Sequence, residues 1–254
     1  MSLVGFSTGR VRPKRAARGV RRYLPGGWSA ETEPVNVFAV THPGGVLVFD
    51  AGQSAAAARP GFLPRWHPYL RLARFELTQE DEAAAQLRAA GIDPAAVRWV
   101  VLSHLHTDHV GGLDGFPRAE VIVSGREWGL ARGPRGRLRG YVSRQWPNGI
   151  VPRLARFDGP AVGPFSCSED LAGDGRLVLV PTPGHTAGHV SLLVRADGRA
   201  YLLAGDLAHT AGDLVTTAPE IAAYCRANDI VVLTTHDPAG PLPFRVDGLG
   251  REFL

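Results

Sequence analysis

The segment SHLHTDHVGG, residues 103–112, places three histidines and an aspartate within six consecutive positions. It directly follows the apolar run WVVL, residues 99–102, which is typical of a buried strand. Imidazole nitrogens and carboxylate oxygens are common protein ligands of divalent transition metals. If the strand continues into this segment, His104, His106 and Asp108 lie on one face, and a turn swings the last histidine inward. The segment can then supply ligands to two neighbouring metal ions, although four ligands cannot enclose a metal pair.

Three more candidate ligands each follow a strand-like run. They are His185 in PTPGHTAGH, Asp206 in LAGDLAHT and His236 in LTTHDP. Open α/β sheets bind ligands at the carboxyl ends of their strands, so these side chains are expected to meet the first segment there. The sequence therefore predicts a metal centre with seven ligands: His104, His106, Asp108, His109, His185, Asp206 and His236.

The elements that position these residues are strands joined by turns. The 31 glycines and 20 prolines lie mostly between apolar runs, which favours a sheet-rich fold with many short elements. Residues 35–50 read as a β-hairpin around THPGG. A helix is expected to begin at Thr78, with three acidic residues in its first turn, and to end before Gly91. Further strands are predicted in AEVIVS, RLVLVPTPG, HVSLLVR, AYLLAGD and DIVVLTTHD, and a further helix in PEIAAYCRAN.

The sequence has 254 residues. Residues 35–254 are expected to form a single domain, preceded by a basic N-terminal lead of residues 1–34. The N-terminus lacks the features of a secretory signal, no run approaches a membrane span, and the two cysteines are too few for a disulfide framework. A cytoplasmic protein is expected. The formal net charge is +4, and arginine carries nearly all of the positive charge. Its two clusters, within residues 10–22 and 126–144, are interpreted as a solvated face or flexible arm, with capture of an anionic ligand, a membrane surface or nucleic acid as alternatives.

The motifs SHLHTDH, PGHTAGH, AGD and TTHD resemble, in the same order, the signature of the metallo-β-lactamase superfamily. The resemblance covers about residues 35–254. It implies an α/β fold, the αβ/βα sandwich of two mixed sheets flanked by helices, and a dinuclear metal-dependent hydrolase. Following the family pattern, His104, His106 and His185 would hold the first metal ion and Asp108, His109 and His236 the second, with Asp206 bridging them. Two divalent ions are implied, with Zn²⁺ expected and Fe, Mn or Co as alternatives.

Within the superfamily, the layout resembles the N-acyl homoserine lactone lactonases. A long segment precedes the first motif, and the chain ends soon after His236, which is expected to leave no room for the helical substrate domain of glyoxalase II enzymes. The resemblance implies opening of a lactone or similar ester by a metal-bridging hydroxide, with Asp108 passing a proton to the leaving alkoxide. Small-molecule esters or lactones are the expected partners. Nucleic acid is not expected, and a homodimer is compatible with the sequence.

Two features concern the substrate. The proline-rich segment of residues 53–75 is interpreted as a flap, whose Phe62, Trp66 and Tyr69 would cover an acyl chain or else pack as core. Lactonases of this type often carry a tyrosine three positions after the bridging aspartate, whereas this chain has His209. His209 is a candidate catalytic residue, because a histidine can donate a similar hydrogen bond or exchange a proton, or it indicates a different substrate.

Three alternative functions remain open at the level of sequence. A phosphoester hydrolase would use the arginine clusters to attract anions. A mononuclear iron persulfide dioxygenase of the same fold would use two histidines and one carboxylate as a facial triad. A non-catalytic binding module is the third alternative, although it leaves the complete ligand set unexplained.

Overall fold

Strand β2, Glu33–His42, is apolar on both of its faces, which requires a covering layer on each side. Phe38 and Val40 lie in a core between two sheets, whereas Val37 and Ala39 lie in a second core beneath helices. Successive side chains of a strand point to opposite faces. Strand β2 therefore belongs to a sheet that packs against a second sheet on one face and against helices on the other.

The computed structural model describes residues 1–14, 27–62, 72–134, 136–196, 198–239, 244–247 and 250–253, the last two ranges by their backbone. The strands in this part of the chain are β1 Ser2–Pro13, β2 Glu33–His42, β3 Gly45–Phe49, β4 Ala73–Glu76, β5 Val97–Val101, β6 Glu120–Ser124, β7 Arg153–Ala155, β8 Glu169–Asp170, β9 Leu177–Pro181, β10 Val190–Ala196, β11 Arg199–Gly205, β12 Ile230–Thr234, β13 Phe244–Asp247 and β14 Gly250–Phe253. The α-helices are α1 Ala83–Ala89, α2 Thr107–Val110, α3 Gly125–Arg132, α4 Leu214–Thr217 and α5 Pro219–Ala227.

Two mixed sheets pack face to face. The larger has the order β14-β13-β1-β2-β3-β5-β6-β7, with β4 paired to β1, and the smaller has the order β12-β11-β10-β9-β8. Phe49 and Ile122 of the larger sheet share one apolar cluster with Leu179 and Leu192 of the smaller. Helices α1 and α3 cover the outer face of the larger sheet, and α5 covers that of the smaller. The predicted αβ/βα sandwich is therefore confirmed.

Most of the predicted elements are confirmed at their expected places. Strands β2 and β3 form the antiparallel hairpin, and each of the five later apolar runs forms a strand, β6, β9, β10, β11 and β12. PEIAAYCRAN forms α5. The boundary at residue 35 stays a prediction, and the first part of the basic lead belongs to the larger sheet, because β1 pairs with β2 over most of its length.

The helix expected from Thr78 begins later, at Ala83, so that prediction is wrong. The backbone amide and hydroxyl of Thr78 both donate to Asp81 Oδ2, at 2.7 and 2.9 Å. These local hydrogen bonds hold a turn that competes with the first helical turn.

Within the described residues, no helix is both long and apolar enough to cross a membrane.

Candidate metal centre

The first motif leaves the larger sheet at the carboxyl end of β5. His104 and His106 remain in extended or irregular backbone, but α2 then begins, and it carries Asp108 and His109. The prediction that the strand alternation continues to Asp108 is wrong, because the chain turns into a helix after His106. As a result Asp108 groups with His109 rather than with the first two histidines.

The other three candidate ligands follow strands of the smaller sheet. His185 lies in the turn between β9 and β10, Asp206 follows β11, and His236 follows β12 closely. Strands β11 and β12 are parallel, so Asp206 and His236 emerge at the same edge. The site therefore lies between the two sheets, and each sheet supplies part of it.

Three imidazoles converge in the first histidine group, which is His104, His106 and His185. Nδ1 of His106 lies 2.9 Å from Nε2 of His104 and 3.0 Å from Nε2 of His185. Imidazole nitrogens gathered this closely have the arrangement of ligands around a common ion.

The second group is Asp108, His109 and His236, and Asp206 lies between the two groups. Asp206 Oδ2 lies 3.5 Å from Nε2 of His185 and 3.8 Å from Nε2 of His104. Asp206 Oδ1 faces the other way, 3.3 Å from Nε2 of His109 and 3.5 Å from Nε2 of His236. One carboxylate thus offers one oxygen to each group.

Buried polar atoms test whether these residues suit a metal ion. Nε2 of His109 and Oδ1 of Asp206 are buried and have no hydrogen-bond partner among the described residues. Such atoms cost about 1–3 kcal/mol each when left unpaired, so they indicate a place for a ligand. The two atoms face each other at 3.3 Å, as two ligands of one cation would. The donor set therefore fits divalent metal ions.

The charges of the two groups differ. Burial, followed by repulsion from His109 and His106, holds the pKa of His104 well below its usual value. Burial and His185 lower the pKa of His106 to about 4. At neutral pH these imidazoles are uncharged, which is the form that binds metals.

In the second group, by contrast, the pKa values of both histidines are raised. Burial by itself lowers the pKa of His109 and His236, but Asp206 outweighs it, raising the pKa of His109 well above its usual value and that of His236 to about 9. Burial raises the pKa of Asp206, but His109 and His236 hold it well below the usual range. Positive charge is therefore stabilised beside Asp206, at the position that a cation would take.

Asp50, at the end of β3, supports this second group and was not singled out from the sequence. Its Oδ2 accepts a hydrogen bond from Nδ1 of His109 at 2.8 Å, and its Oδ1 accepts from the backbone amide of Ser103 at 2.7 Å. Asp50 adopts a φ of 62°, a conformation that aspartate tolerates better than most residues. The only local signal was an acidic residue at a strand end in FDAG.

Gly112, at the end of the first motif, allows close packing behind the ligands. A Cβ at Gly112 would lie 2.2 Å from the carbonyl oxygen of Ala51, which is too close for any side chain. The residues before and after α2 are thereby held against the end of β3.

His209 lies at the mouth of the site, with about half of its side chain exposed. Its ring stacks on His236, with centroids 5.8 Å apart and planes 25° apart. Its Nε2 lies 3.4 Å from Oε1 of Glu33, and hydrogen bonding to Glu33 raises the pKa of His209. Glu33 is thus a second residue at the site that the sequence did not reveal.

A cavity of about 820 Å³ opens beside His185, Asp206 and His209. Its walls are largely apolar and include Phe165, Leu207, Pro219 and Ile221. None of these four was predicted, because the walls come from separate segments: Phe165 and Leu207 lie in loops, and Pro219 and Ile221 lie in α5.

The predicted substrate-covering aromatics lie elsewhere or cannot be placed. Phe62 packs with Leu72, Phe75 and Val142, and it is not among the residues that line the 820 Å³ cavity. Trp66 and Tyr69 lie outside the described residues. A substrate role for these three residues stays a prediction.

The fold and this ligand set define a metal-dependent hydrolase. The profile of the metallo-beta-lactamase superfamily matches residues 30–244, and the chain belongs to that superfamily. The superfamily fold, together with the clustered histidines and carboxylates, implies divalent metal ions as cofactors.

Among its relatives is the N-acyl homoserine lactonase AttM of Rhizobium radiobacter, 33% identical over 230 residues, which cover 81% of this chain and 82% of the relative. The protein of the same name from Azorhizobium caulinodans is 34% identical over 226 residues, with the same coverage. The predicted resemblance to this branch is confirmed.

Solved structures show the same fold at lower identity. An N-acyl homoserine lactone hydrolase, with N-hexanoyl-L-homoserine bound at its catalytic metal center, superposes with a TM-score of 0.71 at 19% identity, covering 94% of each chain. AidC, a dizinc quorum-quenching lactonase, gives a TM-score of 0.63 at 16% identity, covering 99% of this chain and 93% of the other.

Proposed function

We propose that this enzyme opens a lactone or a similar ester at a centre of two divalent metal ions. The observation that carries the proposal is the position of Asp206, whose two carboxylate oxygens face two different ligand groups. A site for a single ion would need only one of those groups. The relatives named as N-acyl homoserine lactonases support a lactone as the substrate class.

In this proposal His104, His106 and His185 hold the first ion, Asp108, His109 and His236 hold the second, and Asp206 contacts both. Ions bound there supply Lewis acidity to a substrate carbonyl and lower the pKa of water to about 7. We propose Zn²⁺ at both positions, a choice consistent with the nitrogen-rich ligand set and with the dizinc neighbour.

Two side chains are proposed to act on the substrate itself. Asp108, whose Oδ2 lies 3.6 Å from Nε2 of His236, would pass a proton to the leaving alkoxide. His209 is exposed at the mouth and would donate a hydrogen bond to the substrate carbonyl or leaving group. Its contact with Glu33 and its stacking on His236 limit the orientations of its ring.

The 820 Å³ cavity would receive the part of the substrate that does not react. Its apolar walls suit a hydrocarbon substituent, and because His185, Asp206 and His209 also line it, the ester end would lie at the proposed metal centre. An N-acylated lactone has both parts.

The test is hydrolysis by purified protein loaded with Zn²⁺. N-acyl homoserine lactones of increasing chain length, unsubstituted γ-lactones, aryl esters and phosphodiesters would be followed by pH-stat and mass spectrometry. The proposal expects ring opening that is abolished by chelation and restored by Zn²⁺, with about two equivalents of zinc bound. Loaded protein that ignores every lactone and ester would overturn the substrate class, and exclusive phosphodiester cleavage would favour the phosphoester alternative. Size-exclusion chromatography of the same samples tests whether the chain forms the homodimer that its sequence allows.

A further inference from the structure

Glu127 is a buried carboxylate behind the first histidine group. It lies in the first turn of α3, where its backbone amide donates to the capping hydroxyl of Ser124 at 3.1 Å. Its residue surface is wholly inaccessible to solvent. A buried carboxylate is costly unless several donors satisfy it.

Two separate segments of the chain supply those donors, and a third lies beside the carboxylate. Oε1 of Glu127 accepts from the backbone amide of Leu105 at 3.1 Å, and Oε2 accepts from the hydroxyl of Thr186 at 2.7 Å. The hydroxyl of Tyr141 lies near this carboxylate: burial, and next the charge of Glu127, raise the pKa of Tyr141. One side chain thus lies among three segments that are distant in sequence.

Leu105, Thr186 and Tyr141 each adjoin a residue of the first histidine group. Leu105 lies between His104 and His106 in the chain, and Thr186 directly follows His185. The ring of Tyr141 packs beside that of His106, with centroids 5.5 Å apart, and the two residues also form a backbone bridge. The residues around Glu127 therefore belong to the segments that carry or contact the first histidine group.

The His185 segment is pressed against α3 as well. A Cβ at Gly188 would lie 2.2 Å from the backbone nitrogen of Glu127, and the hydroxyl of Ser124 donates to the carbonyl of Gly188 at 2.6 Å. These contacts leave the segment little freedom to move away when Glu127 holds Thr186.

The second group has direct contacts of its own, although the hydroxyl of Ser103 also links Asp50 to Nδ1 of His104 in the first group. Asp50 binds His109, and the carbonyl oxygen of Pro34 accepts from Nδ1 of His236 at 2.9 Å. Glu127 makes its hydrogen bonds only beside the first group among the described residues.

We propose that Glu127 is a positioning residue that fixes the geometry of His104, His106 and His185 and thereby sets the metal affinity of the first position separately from the second. This inference rests on the proposed metal centre. Residues that orient metal ligands from behind typically contribute about 10- to 100-fold in metal affinity.

Glu127→Gln is the main test, because it keeps the shape but replaces one acceptor oxygen by an amino group. Zn²⁺ would be titrated into metal-free protein against a competing chelator. The inference expects two binding steps in the original protein and, in the variant, a loss of about 10-fold or more in one step with the other unchanged. Asp50→Asn should weaken mainly the other step, because Asp50 contacts His109 directly and His104 only through Ser103, and the double variant should weaken both.

Glu169→Gln is the matched control, since Glu169 is equally buried but pairs with Arg153 away from the site. It should alter the unfolding temperature of the metal-free protein and leave both zinc affinities unchanged. Equal zinc affinities in Glu127→Gln and the original protein would overturn the inference, as would equal weakening of both steps.

If Glu127→Gln does not fold, Thr186→Val and Tyr141→Phe carry the test, because the first removes a donor to the carboxylate and the second removes the hydroxyl beside it. Selective weakening of the same step in both variants supports the inference, and unchanged affinities in both overturn it. Failure of the original protein to bind zinc would be a different result, because it overturns the proposed function as a whole.

Discussion

Nδ1 of His109 donates to the carboxylate of Asp50 at 2.8 Å, so the opposite ring nitrogen of His109 points at Asp206. A carboxylate behind a histidine fixes both the orientation of the imidazole and the nitrogen that is free to bind a metal. The contact joins the end of β3 to α2, which follows the neighbouring strand β5.

Replacing Asp50 by asparagine should therefore weaken metal binding at the second group by about 10- to 100-fold. Zinc content after gel filtration and kcat on the best lactone would both fall. Asp114→Asn is the matched control, because Asp114 is exposed and lies just beyond the first motif. Full zinc retention in Asp50→Asn would show that His109 keeps its orientation without the carboxylate.

Asp206→Asn should lower the affinity of both metal positions, because it removes the negative charge that both groups share. Lactone hydrolysis should drop at least about 100-fold, and elemental analysis should find less than half of the original metal. If only one ion is lost, Asp206 serves a single position and the shared arrangement is incorrect.

His209→Ala should reduce kcat/KM by about 10- to 100-fold without changing metal content, as expected for one hydrogen bond to developing charge worth about 1.5–3 kcal/mol. His209→Tyr should recover much of that loss, because a phenol can donate in the same place. Glu33→Gln should give a smaller decrease, since it loosens the His209 ring without removing it. Unaltered kinetics in His209→Ala would assign this residue to the rim of the site only.

Gly112→Ala should destabilise the protein by about 1–3 kcal/mol, because the added methyl group meets the Ala51 carbonyl at 2.2 Å. Gly129→Ala is the contrasting change: nothing lies within 4 Å of a Cβ there, and alanine should stabilise α3 by up to about 1 kcal/mol. Urea denaturation measures both. A neutral Gly112→Ala would mean that the loop after α2 can retreat from β3.

Cys225 should resist alkylation in the native protein. It is buried, and burial raises the pKa of its thiol to about 11, so little of the reactive thiolate exists at pH 8. Iodoacetamide at pH 8 should modify the partly exposed Cys167, and should reach Cys225 only after denaturation or as the pH approaches 11. Peptide mapping by mass spectrometry distinguishes the two cysteines.

The sandwich and the set of candidate ligands could be predicted because their signals are local. Apolar runs revealed β5, β9, β11 and β12, and a metal-capable residue follows each of them. The side chains behind the ligands carry no such signal. Asp50 acts on His109, 59 positions away, and Glu127 acts on Thr186, also 59 positions away, so only the folded chain brings these pairs together.

The cavity was unpredictable for the same reason, since Phe165, Leu207 and Ile221 come from three different segments and look like ordinary core residues in sequence. The prediction that α1 begins at Thr78 failed for a local reason. The Thr78–Asp81 turn and a helical first turn use similar residues, and propensity alone does not choose between them.

The division of the ligands between the two sheets has a consequence for how the molecule assembles. His104 and His109 are fixed by the larger sheet, whereas Asp206 and His236 become available only when the smaller sheet, including its late strand β12, is in place. Metal ions bound by ligands from both sheets would link the sheets only after these have packed together. At a free ion concentration a hundredfold above the dissociation constant, binding adds about 2.7 kcal/mol to the free energy of unfolding. The supply of metal ions would then affect the stability of the folded enzyme, because without the ions the ligands of the two sheets would no longer be linked.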